Sequence, residues 1–288
     1  MKKTIYLDSK GSVCRLTGTN SVIEEIIEDD FTKHFIPDLR IRLKYKDPAI
    51  NVIAKEIKVP TMISYPNVTY KPNLPPRDIV SLCEYLLERN RQEKKGYYSL
   101  SSATASRNGD SVIFFAGATN SGKTSGMLDL IQNHGFSFYS DEHTLIDLEN
   151  KKVVGGSRSI ATRKEILKKR LSNVGEFLLK DLDDDYEKKA RLFIYPHIDH
   201  GLDKPIQYQF SPLDFHWLLS REFGGVIRGV VKFTDHFRYP LPSLDTRKLS
   251  KIRAHRTQQF ANFVPCYYFQ GSLSQMSNFV EEKLKEND

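Results

Sequence analysis

The pattern of apolar and polar residues changes near residue 76, and this change divides the chain. Before it, short β-prone runs separated by Asp, Gly, Asn and Pro predict strands near residues 4–7, 13–16, 39–43 and 50–53. Five prolines follow between residues 60 and 76, and such clusters are typical of linkers. We therefore predict a β-rich N-terminal region over residues 1–76 and a second domain over residues 77–288.

The second region alternates helical and strand periodicity. Apolar residues spaced as in a helix begin at Ile79, and a strand over residues 97–105 follows. The Asn108-Gly109 turn joins this strand to a buried one over residues 111–116, which predicts an antiparallel hairpin. After a helix that stops at His134-Gly135, strands are predicted over residues 136–139, 144–147 and 152–154, the last two as a second hairpin. Alternating elements of this kind predict an α/β fold.

In the C-terminal half, the spacing of apolar residues is less regular. Residues 163–220 combine charged, helix-like segments, and within them Trp217 is expected in the core beside Phe215. The elements predicted after them are a β-branched strand over residues 225–233, a basic helix over residues 248–260, a strand over residues 267–269 and an amphipathic helix over residues 273–285. The last helix is expected to dock on the sheet through its apolar side.

The strongest chemical signal lies between the strand at residues 111–116 and the helix that follows it. Gly117 to Thr124 fits G-x-x-x-x-G-K-[ST], the loop that wraps the phosphates of a nucleoside triphosphate. Its glycines let backbone N–H groups turn toward an anion, Lys123 brings a positive charge to the outer phosphates, and Thr124 offers its hydroxyl to Mg²⁺. The predicted nucleotide-binding residues are Gly117, Ala118, Thr119, Asn120, Ser121, Gly122, Lys123, Thr124 and Ser125.

Two adjacent carboxylates follow the next predicted strand. Asp141 and Glu142 stand at its carboxyl end, and open α/β sheets bind ligands at that edge. One carboxylate would hold Mg²⁺ together with Thr124, while the other accepts a proton from an attacking hydroxyl. The structural alternative is a helix cap or a solvated turn, since Ser-Asp suits both.

Other charged residues are weaker candidates. Arg158 and Arg163 would contact the transferring phosphate as fork-shaped donors, or are ordinary surface charges. Arg221 and Arg228 carry the same two interpretations. The run His197-Ile-Asp-His200 has residue types that bind metals but lacks a third ligand at helical spacing, so we interpret it as a loop.

Residues 95–165 resemble the nucleotide-binding core of HPr kinase/phosphorylase and its relatives, including free-serine kinases. The resemblance is carried by Leu100 to Ala103, Ile113 to Phe115, the Gly117 to Thr124 loop and Phe138 to Asp147. The Asp141-Glu142-His143 run is also similar to one in the kinase half of phosphoenolpyruvate carboxykinase, a more distant relative.

The resemblance implies a P-loop kinase core of the HPr kinase/carboxykinase type, with a mixed sheet and flanking helices. It further implies that Asp141 is the general base and that Asp141 and Glu142 organise the metal. Since HPr kinases are hexamers, it also suggests a homo-oligomer. Three residues depart from the family pattern, because Asn120 replaces a loop glycine, Glu142 replaces an aspartate and Ser101 stands where many relatives have a histidine.

These observations predict a Mg²⁺-dependent phosphotransferase in which Lys123 and Asp141 are the catalytic residues. The phosphoryl group would pass from ATP, or a similar donor, to a hydroxyl of a protein serine or a small metabolite. The alternative is a non-enzymatic, nucleotide-responsive protein that binds nucleic acid through a basic face. The net charge of +7 and the basic segment at residues 247–256 favour that alternative.

Composition points to the cytoplasm. No apolar run approaches the roughly 18 residues of a membrane span, and the N-terminus lacks the apolar segment of a secretory signal. Cys14, Cys83 and Cys266 are too scattered for a disulfide framework or a zinc site. We therefore expect no membrane partner.

Overall fold

The computed structural model describes residues 2–29, 32, 35–115, 121–157, 187–229 and 241–286. Within these residues the chain is an α/β protein with two mixed β-sheets. Its contacts form two compact units, Met1–Ser99 with Phe223–Arg253 and Leu100–Glu222 with Ala254–Asp288. In the described segments no helix is both long and apolar enough to cross a membrane.

The first unit is built on a six-stranded sheet with the order β3-β1-β2-β4-β6-β5. Its strands are β1 Lys2–Ser9, β2 Ser12–Thr19, β3 Leu39–Arg42, β4 Ile50–Ala54, β5 Thr61–Ser64 and β6 Asn67–Tyr70. β4 runs parallel to β2 and to β6, whereas β1–β2, β1–β3 and β5–β6 are antiparallel pairs. Its helices are α1 Asn20–Glu28 and α2 Pro76–Asn90, and α2 continues into a π-helical turn, Arg91–Lys95.

Helix α2 forms a large part of the hydrophobic core of this unit. Ile79 and Leu82 are fully buried and cluster with strand residues such as Leu16. The helix starts at Pro76, because a residue without an N–H is tolerated in the first helical turn. The hydrophobic core of this unit therefore includes residues on both sides of the predicted boundary at residue 76.

A charged cluster is buried at the end of α2. Arg91 is fully buried and hydrogen-bonds to the carboxylates of Glu84 and Glu88, which are also fully buried. Glu88 accepts two more hydrogen bonds, from Gln92 Nε2 (2.8 Å) and Ser99 N (3.1 Å), so it is the better stabilised carboxylate. Burial raises the pKa of Glu84 to about 7, since one guanidinium does not offset two desolvated carboxylates.

We expect Glu84→Gln to flatten the pH dependence of stability. The pKa of Glu84 rises from an ordinary 4.5 to about 7 on folding, so its contribution to the free energy of unfolding is complete below pH 4.5 and is lost as pH rises through 7. The Gln variant should match the unmodified protein near pH 4 and exceed it at pH 8 by on the order of 1–3 kcal/mol. Urea unfolding at the two pH values measures the difference, and equal pH dependence in both proteins would contradict the assignment.

The second unit is built on an eight-stranded sheet with the main order β11-β10-β7-β8-β12-β14-β13, and β9 pairs with β7. Its strands are β7 Tyr97–Arg107, β8 Asp110–Phe115, β9 Ser137–Ser140, β10 His143–Asp147, β11 Lys152–Gly156, β12 Lys188–Ile198, β13 Ile206–Gln209 and β14 Cys266–Gly271. The remaining helices are α3 Lys123–Asn133, α4 Pro212–Gly225, α5 Arg247–Ala261 and α6 Leu273–Glu286. β12 runs parallel to β8 and to β14, whereas β7–β8, β7–β9 and β13–β14 are antiparallel pairs.

The local predictions around the loop are confirmed. β8 and α3 flank it, β7 and β8 pair antiparallel across Asn108-Gly109, and β10 and β11 form the second hairpin. The predicted basic helix, last strand and closing helix correspond to α5, β14 and α6. Met276 and Phe279 of α6 are buried against the sheet, as the amphipathic pattern predicted.

Three predictions were wrong. β12 is a long strand where helix-like segments were expected, because it is buried between two parallel neighbours. Trp217 is 65% exposed, because α4 buries Phe215 and Leu219, one helical turn apart, and directs Trp217 away from them. In the predicted strand at residues 225–233, residues 226–229 form turns and Gly229 has a φ of +70°, which a strand does not allow, whereas residues 230–233 lie outside the described residues.

The two faces of the larger sheet carry different side chains. On one face, Phe114 and Ile194 belong to a core cluster with residues of α3 and α6. On the other face, the rings of Phe115 and Phe193 contact Phe215 at centroid distances of 5.8 and 5.1 Å. The carboxyl ends of the parallel strands β8, β12 and β14 meet at one edge, so the loop after β8 opens at that edge.

Candidate functional site

The predicted phosphate loop connects β8 to α3. Gly117, Ala118, Thr119 and Asn120 lie outside the described residues. The second half of the loop motif is described, with Ser121 and Gly122 just before α3 and Lys123, Thr124 and Ser125 in its first turn. No side chain of the described residues caps the start of α3, and its first turn contains no acidic residue. The backbone N–H groups of this helix end are therefore suited to an anion.

Gly122 fixes the entry into α3. Its φ of +103° lies in the left-handed region, and a Cβ at this position would overlap Cγ1 of Ile198. The Gly122 carbonyl accepts the first helical hydrogen bond, from Gly126 N at 2.8 Å, and the Ser121 carbonyl accepts one from Ile198 N at 3.1 Å. Only glycine both adopts this positive φ and leaves room for the Ile198 side chain. The loop end can therefore lie directly against the end of β12.

The structure brings Thr124 and Asp141 together. Oγ1 of Thr124 donates a hydrogen bond to Oδ1 of Asp141 at 2.9 Å, and Asp141 is only 2% exposed. β9 is antiparallel to β7, which is antiparallel to β8, so β9 and β8 run in the same direction. Asp141 follows the last residue of β9 and therefore reaches the edge at which the loop opens.

Backbone hydrogen bonds hold Asp141 in place. Its N–H donates to the Ser157 carbonyl at 3.2 Å, and its carbonyl accepts from His143 N at 2.9 Å. Ser157 N in turn donates to the His143 carbonyl at 2.9 Å. At Gly156 a Cβ would approach the His143 carbonyl to 2.7 Å, so a side chain there would push this turn apart. These bonds orient the carboxylate without using its oxygens.

A buried cluster of four hydroxyls, which the sequence does not predict, includes Ser140, the residue before Asp141. Thr144 Oγ1 is 2.7 Å from Ser102 Oγ, 2.8 Å from Thr104 Oγ1 and 2.7 Å from Ser140 Oγ. All four residues are at most 1% exposed. Because buried hydroxyls need partners, this cluster fixes the pairing of β7, β9 and β10 beneath the Asp141 turn.

Glu142 differs from its neighbour. It is exposed, and its φ of +68° is unusual for a residue with a side chain. The Glu142 carbonyl accepts a hydrogen bond from Ser102 N at 3.2 Å, which holds the backbone in this conformation. Its carboxylate has no hydrogen-bond partner among the described residues. Strained backbone of this kind is frequent at functional sites.

The donor atoms present suit Mg²⁺ and a phosphate. A hydroxyl and a carboxylate in contact, Thr124 and Asp141, are hard oxygen donors of the type that Mg²⁺ prefers. Ser121 Oγ is buried and has no hydrogen-bond partner within the described segments, so it can donate to a phosphate oxygen. The described residues contain no cluster of three or more His, Cys, Asp and Glu side chains. A Mg²⁺ ion here would therefore share its coordination with phosphate oxygens and water.

Two of the four arginine candidates lie among the described residues, and each of them forms an ion pair. Arg158 and Arg163 lie outside the described residues. Arg221 pairs with its neighbour Glu222 at 3.3 Å, and Arg228 pairs with Asp245 at 2.8 Å. Arg221 and Arg228 are therefore engaged in surface or structural ion pairs.

The run from His197 to His200 lies at the carboxyl end of β12, beside the loop. Asp199 Oδ1 accepts from Gly201 N at 2.9 Å and Oδ2 accepts from Gln270 Nε2 at 3.1 Å. The Gly201 N–H, then Gln270 and the two flanking histidines hold the pKa of Asp199 below its ordinary value. The run is predicted to be a loop, but His197 and Ile198 belong to β12. Its closeness to Ser121 depends on the β8–β12 pairing, which no local pattern reveals.

No protein-family model matches this sequence, and comparison with curated proteins also finds no match.

Proposed function

We propose that the chain is a Mg²⁺-dependent phosphotransferase that moves a phosphoryl group from ATP, or a similar donor, to a hydroxyl. The observation that carries the proposal is the 2.9 Å contact between Thr124 Oγ1 and Asp141 Oδ1 at the start of α3. A P-loop residue paired with a carboxylate from a neighbouring strand is the arrangement that nucleotide phosphoryl transfer needs. The P-loop kinase fold of the HPr kinase/carboxykinase type is part of the same proposal.

The loop would bind the phosphates of the donor. The N–H groups at the start of α3 and the Ser121 hydroxyl would supply hydrogen-bond donors, and Lys123 would supply a positive charge. Thr124, Asp141 and Glu142 would hold Mg²⁺. When bound, the ion neutralises charge on the transferring phosphoryl group.

Asp141 would act as the general base. Its carboxylate accepts the proton of the acceptor hydroxyl while the hydroxyl oxygen forms a bond to the γ-phosphorus. The bond from that phosphorus to the β–γ bridging oxygen breaks, and its electron pair leaves with the nucleoside diphosphate. Lys123 stabilises the charge that develops on the outer phosphate oxygens. The acceptor is a protein serine or a small hydroxylated metabolite.

A labelled-phosphate screen tests this function. The protein is incubated with γ-labelled ATP, Mg²⁺ and either hydroxylated metabolites or serine-containing proteins, and labelled product is measured. We expect transfer that depends on acceptor and metal, and a loss of about a hundredfold or more in Lys123→Ala. Lys46→Ala, which removes an exposed lysine of the first unit, is the matched control. Equal transfer by Lys123→Ala and the control would contradict the proposal.

The alternative function is nucleic-acid binding through the basic segment at residues 247–256. Ion pairs count against it, because Arg253 is only 2% exposed and pairs with Asp245 at 2.6 Å. Arg256 pairs with Glu149 at 3.2 Å. The alternative predicts RNA or DNA binding that weakens steeply with salt, together with no phosphoryl transfer.

Two further expectations belong to the proposal. A reducing cytoplasm suits the three cysteines, Cys14, Cys83 and Cys266, which are all free and buried. A homo-oligomer follows from the resemblance to hexameric HPr kinases, and sedimentation of the purified chain measures it.

A further inference from the structure

Aromatic side chains form a row across four strands of the larger sheet. Tyr195 of β12 lies opposite Tyr268 of β14, and Tyr268 lies opposite Tyr208 of β13. Their ring centroids are 5.9 and 5.1 Å apart, and Tyr208 and Tyr268 are stacked. The ring of Phe115, the last residue of β8, is 6.3 Å from Tyr195. We call these four residues the aromatic row, and they share one face because directly opposite residues do.

The aromatic row leads from the phosphate loop to solvent. Phe115 directly precedes the loop segment and is fully buried, whereas Tyr208 at the sheet edge is 52% exposed. Tyr195 and Tyr268 lie between them and are half-buried. The three tyrosine rings therefore offer partly open surface on the face that begins at Phe115. Stacked aromatic surfaces of this kind bind the flat face of a ring.

A chain of hydrogen bonds adds polar groups at the carboxyl end of this surface. The Tyr268 hydroxyl donates to Gln270 Oε1 at 2.9 Å, and Gln270 Nε2 donates to Asp199 Oδ2 at 3.1 Å. Burial, then the neighbouring tyrosines, raises the pKa of Tyr268, which keeps its hydroxyl a donor. Asp199 directly follows Ile198, whose N–H donates to the Ser121 carbonyl at 3.1 Å, so this carboxylate stands next to the end of the loop.

The two kinds of group select one class of ligand. Tyrosine faces favour a ring with a flat, weakly polar side, and an ionised carboxylate accepts hydrogen bonds from hydroxyls. An anionic group at the same place would be repelled by Asp199. We propose that the aromatic row, with Asp199 and Gln270, binds an uncharged, hydroxylated ring, which is either the nucleoside of the phosphoryl donor or the acceptor itself. The role of this ring in phosphoryl transfer rests on the proposed function. Binding of the ring can be measured whether or not the protein transfers phosphate.

Binding of four probes tests the inference. Adenosine, ADP, glucose and myo-inositol are titrated onto the unmodified protein, Tyr208→Leu and Asp199→Asn by calorimetry and saturation-transfer NMR. At least one probe should bind, and each substitution should weaken it about tenfold. Tyr45→Leu changes a 39% exposed tyrosine of the first unit and should leave binding unchanged. Because Tyr208 and Asp199 are exposed or half-buried, equal melting temperatures verify that the variants fold.

The outcomes separate the two sources of the ring. If Tyr208→Leu weakens ADP and adenosine together, the ring is the nucleoside of the donor. If a sugar or inositol binds to the ADP-saturated protein and is weakened by both substitutions, the ring is the acceptor. Affinities unchanged by both substitutions, or no binding of any probe, would overturn the inference. Ring binding by a protein that transfers no phosphate would instead remove the proposed function and leave the ring site in place.

Discussion

Asp141→Asn is expected to lower the rate of phosphoryl transfer by about a thousandfold, because an amide does not accept the proton of the attacking hydroxyl. The Asn side chain keeps the shape of Asp141 and an oxygen that can accept the 2.9 Å hydrogen bond from Thr124. The turn around the residue should also survive, since it is held by backbone bonds to Ser157 and His143. Affinity for metal-free ATP should therefore change little.

Initial transfer rates and equilibrium ATP titrations without metal measure these two effects separately. Asp47→Asn is a matched control, because Asp47 is an exposed aspartate of the first unit. Its backbone φ of +54° is one that Asn also tolerates. If Asp141→Asn transfers phosphate at the rate of the control, Asp141 is not the base.

Gly122→Ala is expected to destroy the loop end. The new methyl group would stand in left-handed backbone at a φ of +103° and overlap the Ile198 side chain. Left-handed strain costs about 1 kcal/mol and overpacking adds about 1–3 kcal/mol. The variant should lose on the order of 2–4 kcal/mol of unfolding free energy, and its affinity for ATP should fall about a hundredfold or more.

A substitution at a second glycine, Gly109, measures the cost of left-handed backbone without a steric overlap. Gly109 has a φ of +86°, but a Cβ there meets no atom within 4 Å. Gly109→Ala should therefore show only the cost of the left-handed backbone, about 1 kcal/mol, with unchanged ATP affinity. Urea unfolding and ATP titration of both variants give the comparison. Equal losses at the two glycines would show that the contact with Ile198 is unimportant.

The sequence predicts the elements whose signals are local. β8, α3 and the turn at Asn108-Gly109 each have their turn residues and apolar period within a few positions. The position of Asp141 at the loop edge follows from the same local order of strand, helix and strand. Trp217 was misplaced although its helix carries the signal, because Phe215 and Leu219 are one turn apart and Trp217 is between them.

The missed features depend on strand pairing. The hydroxyl cluster draws Ser102 and Thr104 from β7, Ser140 from β9 and Thr144 from β10, and no pattern within one strand relates them. The aromatic row was missed for the same reason, because Tyr195, Tyr208 and Tyr268 meet only when the register of three strands is set. β12 itself was missed because strands buried on both faces lack alternation.

We propose that Thr124 and Asp141 together form a metal-dependent nucleotide site. Equilibrium titration of the unmodified protein with ATP, in the presence and absence of Mg²⁺, tests this claim. We predict that ATP binds and that Mg²⁺ tightens binding about tenfold or more, with this gain lost in Thr124→Ala. Failure to bind millimolar ATP, or an affinity that is the same with and without Mg²⁺, would contradict the claim.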